Sequence, residues 1–386
     1  MTAAAQAPEV LGEHASTRDD LIEDVRRLYG SGTPDLFDRL GDLIRRRLGV
    51  GAQGPAAFIV AGLVGSGTRL AAALLATAAV GQWSEVPWGR WAVIIAFYAL
   101  FGAQQVFWHT EPVASWSRRV VDDWTALVPT IERESDLRDL AGRIRGWNRL
   151  GPATAVAVAV AATMLLGAAL VAPGSLAELP VGSLVLLAFV LHDFGLYPIY
   201  WGNLLNGWAM AREAHYDHHL FWASPADSPE VHQALRKTTN QGSAAGFWIT
   251  IFLVLTVVLV SWESPLVLPL AVGFVLIGYL STIGTAVSGR ASVRRIVDGS
   301  RRRRLAALQD RIEAFEPRLG DLSHQEAERL RDLLQLHNAI RDAPTTPTTA
   351  RTVLSAAAGL ILPTIMFAIT VFGEVSAERL LDRLLP

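Results

Sequence analysis

The stretch VGSLVLLAFVLHDFGLYPIYW, residues 181–201, decides how the rest of the chain is read. It runs for 21 residues with only His192 and Asp193 ionisable. A helix needs about 20 predominantly apolar residues to cross the hydrocarbon of a bilayer. Six further apolar runs stand beside it: Pro55–Val80, Trp91–Trp108, Gly151–Ala172, Gly246–Trp262, Pro265–Thr285 and Thr352–Phe372. The links between the third and fourth runs and between the fifth and sixth are short, so each pair reads as a hairpin.

Composition agrees. The chain has 386 residues, of which 51% are hydrophobic and 18% charged, with a mean hydropathy of +0.31. Soluble domains carry about 25% charged residues. A single soluble domain, a disordered chain, a fibrous repeat and a disulfide scaffold are therefore excluded. There is no cysteine, which removes thiolate metal sites, iron–sulfur clusters and cysteine nucleophiles. A net charge of −2 supplies no pull toward nucleic acid. Lys237 is the only lysine among many arginines and alanines, the mark of GC-rich codon usage and a bacterial source. Met1–Gly49 is polar and amphipathic, unlike a signal peptide.

Arginine placement orients the runs. Thirty basic residues fall on one set of connecting segments and three on the other, with Arg69 inside the first run. The positive-inside rule then puts the N-terminus and large loops in the cytoplasm of a bacterial inner membrane. The expectation is an all-α, polytopic membrane protein of about seven transmembrane helices. Its parts are 1–54, cytoplasmic amphipathic helices; 55–109, 151–201 and 246–287, transmembrane hairpins; 110–150, cytoplasmic helices; 202–245, a cytoplasmic extension rich in His; 288–351, a cytoplasmic helical hairpin; and 352–386, a last span and tail.

Amphipathic patterns fill the polar parts. Thr17 caps Arg18–Tyr29, whose Leu21, Val25 and Leu28 share a face, and a second helix opens at Thr33–Pro34. Leu137, Leu140, Ile144 and Trp147 form a stripe in the second polar segment. Leu305, Leu308, Ile312, Phe315 and Leu319 are spaced 3, 4, 3, 4, the seam of a coiled coil. Ser323 and Glu326 form a capping box ahead of Leu330, Leu333, His337 and Ile340. This hairpin serves either its own packing, assembly of a homo-oligomer, or recruitment of a cytoplasmic protein through residues 291–345. Ser228–Pro229 starts another helix.

Three groups of residues carry candidate chemistry. His192 and Asp193 sit mid-span, where ionisable groups normally face a bundle interior or a hydrated path. On an unbroken α-helix Asn203, Asn206, Glu213 and Asp217 return to the His192 face, and Pro198 is where that phase can slip. Arg69 is a candidate to meet Asp193 in the bundle, to face a permeating anion, or to snorkel to an interface from a shorter or tilted span. A polar path of His192, Asp193, Arg69, Asn203 and Asn206 points to an oligomeric ion channel or pore. The string Gly62-Leu-Val-Gly-Ser-Gly-Thr-Arg69 lacks the lysine of a phosphate loop and reads as small residues for close helix packing.

The third group is Glu213, His215, His218 and His219. His215 and His219 are one helical turn apart and suit a single metal ion. The five residues His215-x-x-His218-His219 resemble a histidine box of the membrane fatty-acid desaturases and hydroxylases. That resemblance implies a membrane-embedded, His-ligated metalloenzyme. The other histidines (His14, His109, His192, His232, His324 and His337) stand singly. A third reading is a non-catalytic scaffold or signalling partner.

Overall fold

The computed structural model describes residues 17–30, 43–44, 46–49, 55–107, 122–222, 224–261, 263–319 and 322–343. Among them every regular element is helical. We number the long helices α1 (Arg18–Gly30), α2 (Pro55–Val80), α3 (Trp88–Phe107), α4 (Glu134–Trp147), α5 (Leu150–Val171), α6 (Val181–Phe194), α7 (Asn206–Glu213), α8 (Pro229–Val260), α9 (Val267–Glu313) and α10 (His324–Asp342). A π-helical segment, Gly195–Leu205, joins α6 to α7 without a break.

Four helices are long and apolar enough to cross a membrane: Gly62–Val80, Leu150–Val171, Val181–Glu213 and Val267–Glu313. They mark this as a membrane protein. In the regions of the expected second and fifth spans, the described residues of α3 and α8 carry the shorter apolar stretches Trp88–Leu100 and Gly246–Val260. The seventh run, Thr352–Phe372, and the helix at Thr33–Pro34 lie outside the described residues. Among the described residues, four helices of spanning length stand beside the seven apolar runs.

The apolar layer is arranged around α6. Two thirds of the spanning window of the continuous helix Val181–Glu213, which begins with α6, is buried, against about a fifth to a third for the other three. α2, α5 and α8 pack directly on α6, and α9 packs on α5 and α8. Phe194 of α6 stacks edge-on between Phe252 of α8 and Phe274 of α9, with centroids 5.6 and 4.7 Å away. The outer faces carry Leu75, Leu170 and Leu280, each about 70% exposed, as lipid-facing positions require.

Small residues let the helices approach. Ala153, Ala157, Ala161 and Ala168 make the buried face of α5. A Cβ on Gly195 would lie 2.8 Å from the Ala157 Cα, and one on Gly182 would lie 2.3 Å from the Trp91 ring. The Trp91 indole donates to Ser183 Oγ at 3.0 Å beside that contact, so the glycine and the hydrogen bond fix one register.

The polar layer has its own core. Leu21, Val25 and Tyr29 of α1 pack on Leu137, Leu140 and Ile144 of α4, the stripes expected from spacing. Arg145 pairs with Asp24 across this contact. Asp139 is held down to about 2, first by the Tyr216 hydroxyl and then by Arg212 and Arg143. The 47-residue α9 runs from the apolar layer into this one, where Val293, Ile296 and Val297 meet Leu127, Met210 and Val231. α10 packs on α9 and begins with the expected capping box at Ser323 and Glu326. Leu308 and Ile340 are buried in that contact layer, whereas Leu319 is exposed. Ser228 precedes α8 as expected, but its hydroxyl accepts from the Phe221 amide rather than from the helix.

Because the Gly195 contact is to backbone, neither helix can relax by a rotamer change. Gly195→Ala is expected to cost about 1–3 kcal/mol and to lower the unfolding temperature in detergent. Gly167→Ala, which meets nothing within 4 Å, should leave that temperature unchanged or raise it.

Candidate functional site

The strongest electrostatic feature of the apolar layer is the pair expected from sequence. Arg69 of α2 donates Nη2–H to Asp193 Oδ2 of α6 at 2.8 Å and Nη1–H to its own helix at Gly65 O, also 2.8 Å. Their side chains are 4% and 1% exposed. The guanidinium lies 4.1 Å from the Tyr98 ring centroid of α3 and 5.7 Å from that of Phe189. His192 Nδ1 sits 3.0 Å from Asp193 Oδ1, so the carboxylate bridges a guanidinium and an imidazole. His192 is partly exposed, with its side chain 20% accessible.

Asn203 and Asn206 do not continue the His192 face. The π-helical winding from Gly195 uses i→i+5 bonds, which take more residues per turn than an α-helix. Pro198 has no N–H to keep the α register there. Asn203 therefore meets α9, where its Nδ2 donates to Ser281 Oγ at 3.0 Å and to Thr282 Oγ1 at 3.3 Å. Asn206 Nδ2 turns back to the carbonyls of Trp201 and Gly202. Asn206 Oδ1 and Trp201 Nε1 are buried without a hydrogen-bond partner among the described residues. An acceptor and a donor in that state call for an internal water. Sequence periodicity placed the asparagines on the right helix, but only the winding shows which neighbour each one meets.

Below them the polar layer buries a second set of ionisable groups. Glu213 is 1% and Lys237 3% exposed. The Tyr29 hydroxyl lies 3.4 Å from Glu213 Oε1, and Lys237 Nζ donates to Trp124 O at 3.2 Å. Lys237 Nζ also lies within 6 Å of the Tyr29 and Trp124 rings. Burial pushes the Lys237 ammonium down to about 8, against the opposing pull of Glu213 and Asp123. Lys237 was missed by motif reading; being the chain's sole lysine was its only signal.

The expected metal group is dispersed. His218 is buried, with Nε2 2.9 Å from the Glu213 carbonyl and Nδ1 2.7 Å from Thr130 Oγ1. His215 and His219 are exposed, and His215 Nδ1 donates to Ala211 O at 2.8 Å. The Glu213 carboxyl faces Tyr29 instead. The helix ends at Glu213, so the one-turn spacing of His215 and His219 is not realised on a helix. Among the described residues no group of three or more His, Asp or Glu side chains is placed to hold one ion. What the segment does form is a bridge: Ile131 and His218 pair in antiparallel fashion, with His219 N–H donating to Thr130 O and Glu132 N–H to Asp217 O.

No protein-family model, curated protein or solved structure matches the chain.

The Glu213 carbonyl only accepts, so His218 carries a proton on Nε2, while Nδ1 lies against a Thr130 hydroxyl that donates to Leu127 O at 2.7 Å. Burial first of all pushes the His218 imidazolium below its ordinary range, with the Glu213 carbonyl opposing. The unfolded chain therefore binds the proton before the folded one does. Stability of the polar layer should be complete above about pH 6.5 and fall as the pH drops below it. Thermal unfolding of His218→Asn between pH 5.5 and 7.5 should show less of that acid-side loss than the parent.

Proposed function

We propose that this chain is a multi-pass membrane protein that conducts ions, protons foremost, along the polar groups of α6 and α7. The observation that carries the reading is the pair of buried, partnerless atoms at Trp201 Nε1 and Asn206 Oδ1. They lie on the same continuous helix as Asp193 above and Glu213 below. Internal water bound there would extend a hydrogen-bonded chain between the two buried ionisable clusters. Proton transfer along such a chain needs no open lumen. A wide pore for hydrated ions would, and α6 is instead the most enclosed of the four long apolar helices.

The residues divide the work. Asp193, paired with Arg69, orients His192, whose partly exposed ring offers its nitrogens to the hydrogen-bonded chain. Asn203 with Ser281 and Thr282 supplies hydroxyl and amide groups on the α9 side. The polar layer, which we assign to the cytoplasm from the positive-inside rule, ends the path at Glu213 and Lys237. Assembly as a homo-oligomer through α9 and α10 belongs to the same proposal.

Liposomes containing the purified protein and a trapped pH-sensitive dye test this directly. The parent should collapse an imposed pH gradient when a potential drives it. His192→Ala and Asn206→Leu should each slow this at least tenfold while eluting as the parent does on gel filtration. Asn206→Leu removes the partnerless oxygen at nearly constant volume, so its result is not confounded by loss of the Arg69 pair. Parent liposomes no leakier than empty ones, under either sign of potential, would refute the proposal.

A further inference from the structure

A cavity of about 250 Å³ lies where α9 leaves the bundle, lined among others by Ser300, Arg304 and Arg311 of α9 and by His219 and Trp222 of the segment after α7. It is near the lower end of the range for small-molecule sites, about 300–1,000 Å³. Ser300 gives it chemical character. The buried hydroxyls of Ser66, Thr77, Thr256, Thr282, Thr285 and Ser292 all donate back to a carbonyl of their own helix. Ser300 is equally buried, 2% exposed, yet has no such bond and lines the cavity. Its hydroxyl is thus left to a molecule that enters the cavity.

The charges around it favour an anion. Arg303 is committed to Asp217, Glu132 and the His218 carbonyl. Arg304 spends two of its five N–H groups on the carbonyls of Leu220 and Phe221. That pins the segment carrying Trp222 against α9 and leaves donors on Arg304 free. Arg311, two turns further along and exposed, enters no ion pair among the described residues. Glu132 is the one carboxylate in the lining, and Arg303 faces it. Trp222, 48% exposed, offers a flat aromatic face at the same cavity. Ser300 is 15 residues beyond Thr285, where the apolar run of α9 ends. That is about 22 Å of helix, past the 5–7 Å headgroup layer. A lipid phosphate is thereby disfavoured against a soluble one.

We infer that this cavity binds a nucleoside phosphate, with the phosphate held by Arg304, Arg311 and the Ser300 hydroxyl and the base laid on Trp222. The site stands apart from the path along α6 and does not depend on conduction. Titration calorimetry on the full-length protein in detergent, with AMP, adenosine and inorganic phosphate as separate probes, tests it. AMP should bind more tightly than either fragment. The affinity should fall about tenfold in Arg311→Ala and severalfold in Ser300→Ala, and should weaken with added salt. Neither side chain holds a neighbouring element in place, so loss of binding in these variants would not reflect misfolding. The inference is overturned by no heat with AMP at about 10 mM, by phosphate binding as tightly as AMP, or by binding that both substitutions leave intact. Capture only by vesicles containing phosphoinositide would overturn it in favour of a lipid headgroup.

Discussion

Everything in the apolar layer is arranged around one charged pair, Arg69 with Asp193, placed where neither group can reach bulk water. Removing two charges from water is costly, and their mutual attraction repays that cost only when geometry and remaining hydrogen bonds are close to ideal. Here Gly65 O, His192 and the Tyr98 ring supply further partners to the pair. Those partners come from α2, α6 and α3, so a single electrostatic constraint joins three helices at one depth. In a bilayer, where apolar side chains gain little by leaving lipid, such a constraint and the close contacts at Gly182 and Gly195 hold the helices in register.

The second constraint is the winding of the helix that carries Asp193. Between Gly195 and Leu205 the π-helical turns accommodate Pro198 and rotate everything after it. Asn203 is thereby delivered to Ser281 and Thr282, and Asn206 to the carbonyls that the altered winding leaves available. The same continuous helix ends at Glu213, in the field of Lys237 and against Tyr29. A disturbance at mid-bundle therefore has a direct structural line to the polar layer. The 47-residue α9 is a second such line, ending at α10 and the cavity beside Ser300.

Much of this was legible in the sequence because lipid burial imposes a simple pattern. Apolar run length located the long helices, and an arginine and an aspartate isolated within two of them predicted their own contact. The stripes of α1 and α4 and the box at Ser323 were equally plain. Of the seven apolar runs, four coincide with helices of spanning length among the described residues, and Gly246–Val260 is a shorter apolar stretch within the 32-residue α8. Uniform α-helical phase misplaced Asn203, because a π-helical segment leaves no compositional trace beyond Pro198. The histidine cluster looked like a ligand set in one dimension, but the helix stops at Glu213 and His218 turns inward to Thr130. Ser300 could not be singled out at all, since its distinction is a place in the lining of a cavity that only the fold creates.

A double-mutant cycle on Arg69→Met and Asp193→Leu, read by equilibrium unfolding in detergent, tests the central claim most directly. Removal of one partner leaves the other charge buried and alone, so each single change should cost about 3–5 kcal/mol, with much of that recovered in the double variant. Single effects that simply add, with no recovery, would mean that the two groups do not depend on each other and that the bundle is held together elsewhere.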